Sequence, residues 1–323
     1  MLFIWHPLFV FYMNQNMEEN STLIIILIKL KTSIYCIHNC CIKEYFMKLI
    51  ADSGSTSTHW MLIYPNDEQK EIFTKGINPF LQTDIEIYDL IKTEFNHSIN
   101  DKIQIFFYGA GCANIEKNSI VERALLKYFP NAKVLVDSDM MGACRALLKD
   151  SKGIVSILGT GSNSCFYNGS MIEKNVSPLG YILGDEGSGA YLGRKLLSDI
   201  LKNQLSREIQ TLFFNKYNTT QAEIQENVYK KPFPNRYMAG FTRFLSENIT
   251  YTEIENIVKS GFAEFIKRNI LQYEDSHNYP LSFVGSVAYI FENQLKEVAE
   301  NLGYTIGKIV QNPMDDLVDY HLK

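Results

Sequence analysis

Two short segments concentrate residue types that could bind anions. Asp52-Ser53-Gly54-Ser55-Thr56 puts a carboxylate at the end of an apolar run and follows it with small residues. Their backbone N–H groups can form a nest suited to phosphate oxygens. Asp52 could hold Mg²⁺, through water, because that small ion keeps much of its hydration. A plain hairpin turn uses the same residue types. Gly159-Thr160-Gly161-Ser162-Asn163-Ser164 repeats the device, and two facing glycine hairpins can grip a polyphosphate from both sides. Neither segment ends in Gly-Lys-Ser/Thr or runs into a helix as a dinucleotide fingerprint does, so P-loop and Rossmann sites are excluded.

Asp139 follows an apolar strand and opens a helical stretch, where the helix dipole favours the ionised form. From there it could accept the proton of a hydroxyl attacking a γ-phosphate. A simple N-cap reads the same way, and Asp137 competes for either role. Gly180-Tyr-Ile-Leu-Gly184-Asp185-Glu186-Gly187-Ser-Gly189 is the densest signal, with two adjacent acids whose oxygens suit sugar hydroxyls; a surface loop before a capped helix is the alternative. Gly285-Ser286 marks a strand-to-helix turn where a flat ring could approach the backbone, or where strand and helix pack closely. Asn78, before Pro79, either reaches a polar ligand or makes a turn. His59, His97, His277 and His321 are too scattered for a metal set, and Cys112, Cys144 and Cys165 read as small buried apolar residues.

These residues need a sheet to hold them. The chain from Lys48 predicts a strand, a Gly/Ser/Thr tip, strands at 59–64 and 71–74, a helix over 83–95, a strand at 103–108, a helix over 115–128, a strand at 133–136 and a helix over 139–148. A strand at 153–158, the polar tip at 159–164, and hairpin strands at 165–167 and 171–173 around Asn168-Gly169 then repeat the opening, which suggests an internal duplication. Residues 188–271 are mainly helical; a strand at 281–284, a helix over 286–301, a strand at 304–310 and a helix over 313–320 close the chain. Strands alternating with helices in this way predict an α/β protein.

Residues 1–46 stand apart: they contain no Gly, Ala, Asp or Arg. Their apolar bursts at 1–13 and 23–30 fall short of the ~18 to 20 residues a membrane span needs. They also lack the basic start and small-residue cleavage site of a signal peptide. The expected start of the folded protein is Met47, with the leader a disordered tail or translated upstream DNA. The remainder divides into an N-terminal lobe, 47–151, and a C-terminal lobe with a helical insertion, 152–310, while the final helix at about 311–323 is expected to pack back on the first lobe. Across 323 residues, 31 Lys+Arg against 36 Asp+Glu give a net charge of −5 without a basic block, which argues against nucleic acid. Three of the six cysteines crowd into the leader and the others lie far apart, neither a disulfide framework nor a zinc spacing, which fits a reducing cytoplasm.

Taken in order, Asp52-Ser-Gly-Ser-Thr, Asp139 with Gly142, Gly159-Thr-Gly-Ser-Asn163, Gly184-Asp-Glu-Gly-Ser-Gly189 and Val284-Gly-Ser-Val287 resemble the N-acetylglucosamine kinase branch of the sugar kinase, heat-shock chaperone and actin superfamily. The same branch holds ATPases related to the activators of benzoyl-CoA reductase. The resemblance runs from Met47 to about Tyr320. It implies two ribonuclease H-like lobes closing over ATP·Mg²⁺ and an amino sugar, and a homodimer. By position, Asp52, Gly54, Ser55 and Thr56 look like the first phosphate loop, Gly159, Thr160 and Gly161 like the second, and Gly285 and Ser286 like the adenosine motif. Asp139 looks like the general base for the sugar 6-hydroxyl, with Asn78, Thr160, Asn163 and Asp185 as further sugar contacts. Pro79 and Phe80 stand where the animal enzymes have His and Trp, so the sugar-side wall differs. Two rival readings are an activator ATPase, which would hold an iron–sulfur cluster between two subunits, and a sugar-binding protein without turnover.

Overall fold

The computed structural model describes residues 47–322 except 55, 98 and 100; what was expected of the leader lies outside the described residues. Met47–Lys323 form one compact unit. Its first sheet starts with β1 (Met47–Ser53), whose side chains are mostly buried on both faces, as its near-continuous apolar sequence requires. β2 (Ser57–Ile63) and β3 (Gln69–Lys75) follow antiparallel, and β3 shows only Ile72 and Thr74 to the interior, as an edge strand does. β4 (Ile103–Gly109) and β5 (Ala132–Ser138) then add in parallel on the other side of β1, reached over α1 (Asp84–Glu94) and α2 (Ile115–Tyr128). The order is β3-β2-β1-β4-β5.

The second sheet repeats this. β6 (Gly153–Leu158), β7 (Ser162–Tyr167) and β8 (Ile172–Val176) are antiparallel, and β9 (Leu281–Val284) and β10 (Ile306–Val310) join parallel to β6. The order β10-β9-β6-β7-β8 is the first sheet's order again, so the duplication extends from motif to topology. Both sheets are ribonuclease H-like, and the protein is two-lobed α/β. Between β8 and β9 lies the helical insertion: α4 (Gly180–Leu183), α5 (Gly189–Leu201), α6 (Arg207–Tyr217), α7 (Gln221–Tyr229), α8 (Pro234–Ala239), α9 (Thr242–Glu247) and α10 (Thr252–Arg268).

Several expected boundaries shift: β3 and β8 run longer than 71–74 and 171–173. The second glycine tip is only 159–161 long, because Ser162 and Asn163 already pair with Leu158 and Ile157 as strand. The helix expected over 286–301 breaks at Phe291 into α11 (Ser286–Ile290) and α12 (Glu292–Asn301); Phe291 is buried, and its φ of −107° with ψ of 32° leaves the helical region. The last strand begins at Ile306 rather than 304, and its pairing with β9 is irregular between Ile306 and Ile309.

Between the sheets run α3 (Asp139–Leu148) and α13 (Met314–His321). A shared apolar cluster joins Ile50 and Met61 of the first sheet, Val155 and Cys165 of the second, Met140 and Cys144 of α3, and Leu317 and Val318 of α13. Tyr108 ties this region together: its hydroxyl lies 2.8 Å from His321 Nε2 and accepts from Arg145 at 2.8 Å. Among the described residues no helix is long and apolar enough to cross a membrane, and no three His, Cys, Asp or Glu side chains form a metal cluster. The histidines stack instead: His59 on Phe73, His277 on Tyr304 and His321 on Phe106.

Candidate active site

The first glycine tip joins β1 to β2. Gly54 N–H donates to Ser57 O at 3.0 Å, closing the turn. Ser53 Oγ, fully buried, lies 2.7 Å from Thr58 Oγ1 and accepts from Ile77 N–H at 3.0 Å, and Gly76 N–H donates to Thr56 O. The tip is thus fixed to the segment that carries Asn78. Asn78 Oδ1 accepts from Phe80 N–H at 2.9 Å and rests on Gly111, where a Cβ would come within 2.2 Å of it. Gly111 also has φ +85°, so both its backbone and its neighbour demand glycine.

The second tip is held from three sides. Gly189 and Ala190, at the start of α5, donate their N–H groups to Gly159 O at 2.8 Å and Thr160 O at 3.0 Å. Ser162 N–H donates to Asp185 Oδ1 at 3.3 Å, and Asp185 Oδ2 would lie 3.1 Å from a Cβ on Gly161. Gly285 backs the tip: at φ +124°, its Cβ would meet Leu158 O at 2.3 Å.

Gly54, Thr56, Asn78, Asp139, Gly159, Thr160, Gly161, Asn163, Asp185 and Ser286 all line one cleft of about 1580 Å³. Asp52 and Gly285 flank it without forming its wall, and Ser55 lies outside the described residues. Both sheets contribute to this cleft. A second pocket of about 270 Å³ opens beside it, walled by Gly189, Ala239, Gly240, Thr242, Ser286 and Val287.

Asp139 is the first residue of α3, but Ser138 is the cap: its Oγ accepts from Met141 N–H at 3.1 Å. The capping duty that would explain an aspartate here is already met. Burial pushes the Asp139 carboxyl upward, against the Met140 N–H that donates to Oδ1 at 2.8 Å. Asp137 is differently engaged, 3.6 Å from the Arg145 guanidinium and accepting from Ser138 N–H at 2.9 Å. Burial first, then the charge of Asp139, pushes the Asp52 carboxyl up to about 7. Among the described residues neither Asp52 nor Asp139 has an ion-pair partner. Of the two, Asp52 could hold Mg²⁺ through water, since that ion keeps much of its hydration and shares its shell with phosphate.

The adjacent acids of the glycine-rich segment divide. Asp185 faces the cleft, and burial pushes its carboxyl up to about 6 against the Ser162 hydrogen bond. Glu186 turns away to Arg268 at 3.3 Å and Asn269 at 3.4 Å, bracing α10. Cys144 and Cys165 meet at 3.3 Å between Sγ atoms, fully buried between α3 and β7 of one chain. That place inside a packed core is unlike a cluster shared between two subunits.

Several lining residues carried no reading from the sequence: Gly111, Asn114, Asn118, Asn175 and Arg236. The Gly109-Ala-Gly111 pair was a signal for the first. Asn175, on edge strand β8, reaches the site through Asn163, whose Oδ1 accepts from its Nδ2 at 2.9 Å.

No protein-family model matches the chain. Over 210 residues, 60% of this chain and 68% of the relative, it is 27% identical to an N-acetylmuramic acid/N-acetylglucosamine kinase of Clostridium acetobutylicum. A solved structure of a candidate N-acetylglucosamine kinase from Porphyromonas gingivalis is 41% identical and superposes with a TM-score of 0.80 over 85% of this chain and 98% of that one. A second such protein, from Chromobacterium violaceum, shares the fold at 16% identity and TM-score 0.66, over 85% and 98% of the two chains.

Proposed function

The chain belongs to the N-acetylglucosamine kinase family, and from that premise we propose that it transfers the γ-phosphate of ATP to the 6-hydroxyl of N-acetylglucosamine or a closely related amino sugar, with Asp139 as general base. It is an ATP-dependent sugar kinase. The observation that supports the finer reading is Asp139, a carboxylate relieved of capping duty by Ser138 and lining the same cleft as both glycine tips.

In this reading Gly54, Ser55 and Thr56 on one side and Gly159, Thr160 and Gly161 on the other grip the polyphosphate through backbone N–H groups and hydroxyls. Mg²⁺, held through water by Asp52, would supply charge neutralisation at the phosphates. Asn78, Asn163 and Asp185 orient the sugar by accepting from and donating to its hydroxyls. Asp139 takes the 6-hydroxyl proton as that oxygen attacks, which its uncapped, unpaired carboxylate can do. Ser286, with Gly285 fixing the turn, faces the adenosine. Catalysis is then mostly positioning, and closure of the lobes keeps water from the γ-phosphate. The reading also includes work in the cytoplasm as a homodimer.

The full chain with Mg·ATP should release ADP only when an amino sugar is present, and a panel of amino sugars and hexoses names the one. ADP release independent of sugar, or none with any of them, would overturn the kinase reading. A second expected result concerns the sugar wall. Gly111→Ala forces Asn78 aside, so the KM for the sugar should rise by roughly tenfold, the scale of one lost hydrogen bond, while the KM for ATP changes little; equal rises in both would detach Asn78 from the sugar.

A further inference from the structure

The insertion beyond α5 carried no functional signal in the sequence, yet Asn235 and Arg236 of α8 line the site. Arg236, on α8, lines both the main cleft and the smaller pocket, and the residues it shares that double wall with are Thr56, Gly159, Thr160 and Ser286. It therefore stands where the two glycine tips meet the turn of α11. Among the described residues that line the cleft it is the single Lys or Arg, against the carboxylates of Asp137, Asp139 and Asp185. A polyanion entering a wall of that charge needs positive groups at close range.

Arg236 is also held in place. Its guanidinium carbon lies 4.3 Å from the centroid of the Phe233 ring, a cation–π contact. α8 presses on α5 so closely that a Cβ on Gly193 would lie 1.9 Å from Met238 O. α5 in turn holds the second tip through Gly189 and Ala190. The stacked ring, the helix contact and the tip form one connected support.

We propose that Arg236 binds the polyphosphate of the nucleotide, donating its planar fork to phosphate oxygens between the glycine tips and the adenosine turn. The proposal rests on the kinase reading for the identity of the nucleotide. A guanidinium suits this position better than an ammonium: it presents paired donors in a rigid plane, matched to two phosphate oxygens, and it sheds water more readily. Arg236 thereby adds a fixed positive charge to the acidic lining, beside the neutralisation that Mg²⁺ would supply.

The test is calorimetric titration of the full chain, as wild type, Arg236→Met and Arg236→Lys, with ATP, ADP and adenosine, each at three salt concentrations. Arg236→Met should weaken ATP and ADP by about 10- to 100-fold, the range for hydrogen bonds to a charged group, and leave adenosine within about twofold. The salt dependence of ATP binding should flatten, because one fewer cation meets the phosphates. Arg236→Lys should fall between. Equal weakening of adenosine and ATP would assign Arg236 to the base or to the packing of α8, and unchanged ATP affinity would remove it from the site; either result overturns the proposal. Wild-type protein that binds ATP but phosphorylates no sugar would sink the kinase reading while leaving the Arg236 contact intact.

Discussion

Asp139→Asn should leave ATP bound with nearly its original affinity and slow phosphoryl transfer by about 10³-fold, within the range a positioned general base contributes. The substitution keeps the shape of the side chain and removes its proton affinity. It should not unfold the helix, because the cap of α3 is Ser138 and not Asp139. Nor should Asp137 take over, since its carboxylate is engaged by Arg145 and by the Ser138 N–H. The measurements are kcat with both substrates saturating and ATP affinity by calorimetry. Burial has pushed the Asp139 carboxyl upward, and a base works only when deprotonated. The wild-type kcat/KM should therefore fall, as pH is lowered, nearer to neutrality than an exposed aspartate would place it. A kcat within threefold of wild type would exclude Asp139 as the base and leave positioning alone to explain the reaction.

The parts of this site that could be read from the sequence are those where residue type fixes local backbone. Gly54 and Gly159–Gly161 could only be tips between strands, and the apolar runs beside them could only be buried. The repeated strand–tip–strand opening pointed to two lobes of one topology, and the two sheets have the same strand order. Residue type said less where direction decides. Asp185 and Glu186 look equivalent in the chain, but Asp185 takes φ +53° and faces the cleft while Glu186 is carried round to Arg268. Whether Asp139 was a cap or a free carboxylate turned on the preceding serine, which caps just as well. Arg236 and Asn175 were invisible because they arrive from an insertion and an edge strand, brought in by packing at long sequence separation. The 3.3 Å approach of Cys144 to Cys165 is likewise a product of packing, α3 lying against a strand of the second sheet.

Gly285→Ala tests whether the second tip is set by the turn behind it. Gly285 has φ +124° and ψ 157°, a region that side chains scarcely enter, and a Cβ there would lie 2.3 Å from Leu158 O and 2.7 Å from Leu158 C. Both obstacles are backbone, and neither can swing aside as a flexible side chain would. The strain of such a conformation costs about 1–3 kcal/mol, and the contact adds to it. With a melting temperature falling roughly 2–4 °C for each kcal/mol in a chain of this size class, a drop of about 5–10 °C is expected. Gly159, whose Cβ would meet nothing within 4 Å, is the control for stability: Gly159→Ala should melt close to the wild type. Relief of the clash moves Leu158 and Gly159, which begin the tip, and also moves Ser286, which follows Gly285. The KM for ATP should then rise by at least about tenfold, the equivalent of 1.4 kcal/mol. A variant that melts lower but keeps its ATP affinity would mean that the tip is held by Gly189 and Ala190 of α5 alone. In that case nucleotide binding would depend on the insertion and not on the strand-to-helix turn.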